Sequence, residues 1–464
     1  MSLVSTVNVE ELESRVHGLV TKFSDPGYEK LRRSLSWNQL TPQRFPEIVV
    51  QVATEQDVVE AVRFARSRQL KVAVRGGGHS FVGFSLRDES ILIDLSHLKA
   101  VSLDPEKRTA VVQPAVTGRE LNSLLAAHGL AFPVGHCPSV PLSGFLLNGG
   151  LGWNTNTWGP ACLSVESAKL VTADGRLVVT NEQQNKELFW AIRGGGPGFF
   201  GVITEYSLKL YRAPGAISQS TYFYPLETIE DVASWTAKVA KDLPREVELT
   251  LFVSAAPPDL SEAANSGNGF VAILSAVAFL DNGLEATEIL QSLEGCPAIN
   301  RCLKKEIKQP TSFDELLDLG SLLWPPRHRY AADTVWTNSP PAVVLSKVRE
   351  HFLRAPSQKS LAACVFSTGD AAPAQPDTAF SMVADNLLLC YGIWEQSKDD
   401  AANINWHREL IDNLDQFAVG HYVGESDIVS NSARAEASYA QASWQRLQAL
   451  RQKYDPDQLF HAHF

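Results

Sequence analysis

Three glycine-rich stretches in the first 201 residues constrain this chain more than any other feature: RGGGHS at 75–80, SGFLLNGGLG at 143–152 and RGGGPGFFG at 193–201. Glycine reaches backbone angles closed to other residues and lets N–H groups come close to an anion. The first stretch follows KVAVR, a β-rich run, so it opens at the end of a strand. It lacks the Lys-Ser/Thr of a P-loop, and its glycines do not have Rossmann spacing. A structural turn would use the same residues. Three such loops in one half of a chain nevertheless suggest a long phosphate-bearing ligand lying across the fold.

Around these loops, helix and strand signals alternate. Thr54 is an N-cap for the amphipathic run TEQDVVEAVRFARSRQ,. Thr117 and Glu120 form a capping box for a helix running to His128, with Gly129 at its stop. ILIDL and TAVVQP read as strands, VITEYSLKLY as a half-buried strand, and VESAKLVTADGRLVVT as a hairpin turning at Asp174-Gly175,. Composition shifts near Ala213-Pro214-Gly215. Beyond it, strands at VELTLFVSA, GFVAILSAVAF, LAACVFST and LLLCYGIW mix with helices near 283–293, 343–354 and 401–418. That mixture predicts an α+β fold with an antiparallel sheet covered on one side.

At 464 residues the chain is too long for one ordinary core, and two lobes are expected,. A formal charge of −11 argues against a nucleic-acid surface,. No apolar run approaches the length of a membrane span. The N-terminal stretch is interrupted by acidic residues, which argues against a signal peptide and predicts a cytoplasmic protein. The six cysteines include no CxxC pair and no zinc spacing, so no metal site is expected,.

Two side chains stand out beside the glycines. His79 closes the first loop, where any bound phosphate or ring would be near, although a lone histidine is more often structural. Cys137 lies on a turn between Gly135 and Pro138 rather than inside an apolar run. A thiolate there would be a good nucleophile in polar or electropositive surroundings, and His136 is adjacent.

The ordered combination RGGGH, CPSV, NGGLG, GGGPGFFGVITE and KYDPDQLF resembles the berberine-bridge-enzyme-like FAD-linked oxidases of the vanillyl-alcohol-oxidase superfamily. The likeness runs to Arg212 and returns at the C-terminus. It implies a PCMH-type FAD-binding domain over 1–212, a substrate-binding domain over 213–424, and a segment over 425–464 returning to the first domain. It also implies covalent FAD, with His79 on the flavin 8α-methyl carbon and Cys137 on C6. Arg75, Gly76, Gly77, Gly78 and Ser80 would form the pyrophosphate loop, and Ser143, Gly144, Gly149 and Gly150 the second loop. Gly201 and Val202 would meet the adenosine part, with a backbone contact from Val165. In similar enzymes the residue three after the cysteine governs oxygen access. Here Val140 favours an oxidase, although Pro141 replaces the usual glycine beside it.

The family often ends its substrate site with Tyr-x-Asn-Tyr, whose last tyrosine can act as base. Here the segment is HYVGESD: Tyr422 keeps the first tyrosine and Glu425 stands where the base would be. A buried glutamate can serve as base, and a solvated loop carboxylate is the plain alternative. The reading is therefore an FAD-dependent oxidase acting on a small-molecule alcohol, amine, sugar or phenolic or polyketide intermediate, with dioxygen as second partner and a monomer or homodimer as the assembly. Its rivals are a same-fold dehydrogenase with another acceptor and a flavin-binding protein without turnover. Aromatic residues of the second half (Tyr222, Phe223, Tyr224, Phe252, Trp324, Trp336, Tyr391, Trp394) lean away from a purely carbohydrate cleft.

Overall fold

The computed structural model describes residues 9–369 and 376–463. Residues 1–8, part of the stretch read above for a leader, lie outside them. Three large sheets and a two-stranded one, Leu130–Ala131 with Tyr211–Arg212, organise the described residues. In the first, Ile48–Gln51, Ser90–Asp94 and Lys71–Arg75 run parallel, with Leu19–Lys22 antiparallel at one edge. The helix Glu55–Ser67 packs on this sheet; its Thr54–Asp57 capping box satisfies the first turn, and Val58, Val62 and Ala65 are buried,. At the other edge the C-terminal tail joins: Val72 N–H donates to Leu459 O and His461 N–H to Val72 O.

The second sheet is a five-stranded antiparallel layer in the order Val101–Asp104, Thr109–Val112, Gly201–Lys209, Val165–Thr172, Leu177–Asn181. Its hairpin turns at Asp174-Gly175, with Gly175 at φ +73°, as the sequence predicts. The helix Gly118–Ala126 starts at the Thr117–Glu120 capping box and stops before Gly129, at φ +64°,.

The third sheet has seven antiparallel strands in the order Lys304–Thr311, Ala216–Pro225, Phe270–Leu280, Val247–Ala255, Leu361–Phe366, Asn386–Trp394, Arg329–Thr337. Helices Ile229–Asp242, Gly283–Gln291, Pro341–Phe352 and Asp400–Leu414 cover one face and share its core. The period-two alternation of strands sends Tyr222 and Tyr224 into that core, while Phe223 lines the opposite, open side,. The open face and the glycine loops enclose one continuous cleft of about 2160 Å³. Among the described residues, no helix is long and apolar enough to cross a membrane.

Candidate active site

The first glycine loop lies flat on the second. A Cβ on Gly76 would sit 1.6 Å from Ser143 Oγ, and one on Gly77 would sit 2.3 Å from Pro141 Cγ. Gly78 adopts φ +72°, where a Cβ would meet Leu35 O at 2.0 Å. Three consecutive glycines are thus required by contact and conformation together. Arg75 braces the loop from behind: it donates to Asp94 Oδ1 (2.8 Å), Leu35 O (2.8 Å) and Gly77 O (3.2 Å). Among the described residues, the backbone N–H groups of Gly77, Gly78, His79 and Ser80 donate to no protein acceptor. All four residues line the cleft, so a row of amides without a protein acceptor lies at its wall, a feature that suits an anion,. Ser80 also turns its hydroxyl back to accept Phe84 N–H at 3.2 Å.

His79 stacks on Trp37, with centroids 4.9 Å apart and planes 24° apart. Burial and the nearby Arg75 charge depress its pKa to about 4, so the imidazole is neutral at ordinary pH,. Its Nε2 lies 3.2 Å from Ser139 Oγ, and the same hydroxyl lies 3.6 Å from Cys137 Sγ. The two side chains singled out from distant parts of the sequence therefore meet at one serine. The immediate surroundings of Cys137 are not electropositive. Burial pushes the thiol up, hydrogen bonds from Ser139 draw it back, and the Glu425 charge adds to the rise. His136 does not turn to the thiol. Its Nε2 pairs with Glu248 Oε1 at 2.8 Å, and its ring packs 4.2 Å from Trp153.

Glu425 faces the same cleft. Burial raises its pKa, while a hydrogen bond from Tyr391 and the His136 charge lower it. The Tyr391 hydroxyl donates to Glu425 Oε2, and Tyr391 is itself 2% exposed. Phe81 and Trp324 pack against the Tyr391 ring at 5.6 and 5.8 Å. Tyr422 is buried, its phenol pushed up by burial and by Glu425. Its N–H donates to Thr334 Oγ1 at 2.8 Å, and its carbonyl accepts from Glu425 N–H at 3.1 Å, so the segment is a fixed turn. The neighbouring His421 is occupied. Its Nδ1 donates to Thr334 O at 2.6 Å and its Nε2 accepts from Arg434 at 3.1 Å.

Of the sequence candidates, Arg75, Gly76, Gly77, Gly78, His79, Ser80, Cys137, Val140, Ser143, Gly144, Gly201, Tyr422 and Glu425 line the cleft. Gly149, Gly150, Val165 and Val202 do not. Gly149 and Gly150, at φ +105° and +79°, shape the turn after the helix Leu142–Leu147, and Val165 and Val202 are core residues. Sequence reasoning passed over Ser139, Trp37 and Glu248. Ser139 was visible as the hydroxyl two places after Cys137. Glu248 was visible as a carboxylate within the apolar strand Val247–Ala255. Trp37 carried no local signal.

Residues 46–181 match the FAD binding domain family. The FAD-linked oxidoreductase ptmO of Penicillium ochrochloron is 31% identical over 439 residues, covering 94% of each chain. This chain belongs to the FAD-linked oxidoreductases. Two solved structures share its fold. One is 6-hydroxy-D-nicotine oxidase from Arthrobacter nicotinovorans, at TM-score 0.82 and 22% identity over 97% of both chains. The other is Physcomitrella patens BBE-like 1, at TM-score 0.82 and 19% identity over 98% of both chains.

The protein is an FAD-dependent oxidoreductase. The residues present fit that cofactor. Free amides at Gly77–Ser80 suit a pyrophosphate, and His461 Nε2, on the cleft wall, is a buried nitrogen without a partner among the described residues.

Proposed function

We propose that this enzyme is an oxidase that takes hydride from a small-molecule alcohol, amine or natural-product intermediate onto FAD held covalently at His79 and Cys137, with dioxygen as the final acceptor and hydrogen peroxide as its product. When bound, FAD supplies the hydride acceptor; the chain supplies position, proton transfer and electrostatics. The observation that carries the reading is that His79 and Cys137, both on the cleft wall, converge on one serine hydroxyl. Glu425 takes the proton of the substrate O–H or N–H. Its Oε2 is held by Tyr391, and Oε1 is left for the substrate,. Phe81, Phe252, Trp324, Trp336 and Tyr391 give the substrate side of the cleft an aromatic wall suited to a partly apolar molecule. Val140, small and on the cleft wall three residues after Cys137, leaves dioxygen a path.

Denaturation of the purified protein in acid tests the attachment. The precipitate stays yellow, and peptides containing His79 and Cys137 carry flavin mass; FAD released entirely into the supernatant would overturn it. An anaerobic screen of alcohols and amines identifies the substrate by bleaching of the flavin. Admission of air then yields one peroxide per turnover for an oxidase. A flavin that stays bleached in air points instead to a dehydrogenase with another acceptor.

A further inference from the structure

The hydroxyl between the two attachment residues has a chemistry of its own. Ser139 is the third residue of a tight turn, Cys137-Pro138-Ser139-Val140, closed by Val140 N–H donating to Cys137 O at 3.3 Å. Proline at the second position presets the backbone of such a turn. Two further bonds pin it to the start of the helix Gly118–Ala126: Gly118 N–H to Val140 O (2.9 Å) and Arg119 N–H to Pro138 O (3.2 Å). The stack on Trp37 fixes the plane of His79. The Ser139 hydroxyl is therefore held by backbone on one side and meets a fixed imidazole on the other.

A hydroxyl offers one donor and two acceptor positions, and a neutral imidazole carries its proton on one nitrogen only. We propose that Ser139 prepares both nucleophiles for flavin attachment, accepting N–H from His79 Nε2 and donating its O–H to Cys137 Sγ. The first bond selects the tautomer that leaves the lone pair on His79 Nδ1. The second favours the thiolate, because a hydrogen bond to a charged acceptor is stronger than one to a neutral group. The Ser139 backbone assists at both groups, its carbonyl accepting from the imidazole and its N–H favouring the thiolate, and among the other described residues no group shares either task. Arg75 disfavours a charged imidazole, Glu425 disfavours a thiolate, and His136 is engaged by Glu248. The inference rests on the covalent attachment proposed above. Each link forms one N–C or S–C bond in place of a C–H bond of the flavin. The proton of the nucleophile, the displaced hydrogen and the two electrons pass in sum to dioxygen as hydrogen peroxide.

The test is the linkage state of the full-length holoprotein, read by intact mass after denaturation and by peptide mapping. Ser139 is exposed and its side chain is small, so Ser139→Ala is expected to fold and to keep FAD bound at one per chain. We expect its doubly linked fraction to form roughly tenfold more slowly than in the unmodified protein, and Ser139→Thr to restore it, the scale being that of one charge-assisted hydrogen bond. A Ser139→Ala protein that becomes doubly linked as fast as the unmodified one would overturn the proposal. If the unmodified protein carries no link, the attachment reading fails, and Ser139 is then judged on the FAD-free chain by iodoacetamide alkylation of the Cys137 peptide against pH. A Ser139→Ala profile displaced upward by about one pH unit keeps Ser139 as the thiolate's donor. An undisplaced profile removes it.

Discussion

Tyr391 donates its phenol hydroxyl to Glu425 Oε2, joining the sheet strand Asn386–Trp394 to the turn that follows Tyr422. The sequence has a glutamate at the position where the family resemblance implies a loop tyrosine, and the sheet brings a phenol into hydrogen-bonding contact with it. A carboxylate and a phenol thus share one hydrogen bond at the cleft wall, and the carboxylate is the stronger base of the two. On the proposed reading, replacing Glu425 by Gln keeps its shape and removes the base. The rate of anaerobic flavin reduction is expected to fall by roughly 10²–10⁴-fold, the usual contribution of a positioned base. Substrate binding, read from the concentration dependence of that rate, is expected to change far less.

Tyr391→Phe separates the partner from the base. Burial raises the Glu425 pKa and the Tyr391 hydrogen bond lowers it. The basic form is needed, so flavin reduction speeds up as pH rises through that pKa. Loss of the phenol removes a lowering influence, and the rising limb of the pH–rate profile is expected to move to higher pH. A profile that keeps its midpoint while losing amplitude would show that Tyr391 only packs.

The glycine loops were legible because their chemistry is local. His79 and Cys137 stood out beside them by position, and the attachment roles given to both came from the family resemblance. Helix caps at Thr54 and Thr117 and the Asp174-Gly175 turn were equally readable, since each depends on neighbours within three or four residues. What escaped depends on long-range pairing. The edge strand Lys304–Thr311 is polar and contains Pro310, so it carries no alternation to recognise. Trp37 reaches His79, and Tyr391 reaches Glu425, only because separate elements are folded together. Glycines 149 and 150 misled in the other direction: a positive φ is needed to turn the chain, and it does not by itself put a residue on the cleft.

Gly76→Ala tests whether the two glycine loops must touch. The new Cβ would lie 1.6 Å from Ser143 Oγ and 2.5 Å from Ser143 Cβ, so one loop has to move. The row of free amides on Gly77–Ser80 moves with it. The flavin-to-protein ratio of the purified variant is expected to fall several-fold. Gly76→Ala combined with Ser143→Gly, which removes the obstructing side chain, is expected to recover part of the loss.

Val140→Leu tests the oxygen path. Val140 is held at both ends of its backbone, its N–H donating to Cys137 O and its carbonyl accepting from Gly118 N–H, so a larger side chain cannot be relieved by shifting the turn. It lines the cleft, so the added bulk enters that space. Flavin reduction under anaerobic conditions is expected to be nearly unchanged. Reoxidation by dioxygen, followed by stopped flow, is expected to slow by about tenfold or more, equivalent to about 1.4 kcal/mol of added barrier. Equal slowing of both half-reactions would indicate a displaced cofactor rather than a narrowed path.

The turn that carries Tyr422 and Glu425 rests on a buried ionic cluster. Arg434, 5% exposed, pairs with Asp333 at 3.1 Å and Asp415 at 2.9 Å and donates to His421. Thr334, next to Asp333, accepts from Tyr422 N–H, and its hydroxyl lies 2.9 Å from that of Ser426. Arg434→Met would leave Asp333 buried without its cation, a loss expected to cost about 3–5 kcal/mol of stability in urea unfolding. Adding Asp333→Asn should return much of it, because the orphaned charge is gone. The cost should also depend on pH. Burial outweighs the pull of Arg434 and raises the Asp333 pKa to about 7. A raised carboxyl pKa favours the folded state at low pH, where the group is protonated, and that advantage is lost as pH rises through about 7,. Above that pH the unmodified protein has Arg434 to compensate the charge and the variant does not. The stability difference between them is therefore expected to widen from pH 6 to pH 8,. A difference that stays constant across that interval would mean that Asp333 does not titrate there, and that the cluster holds the turn by packing alone.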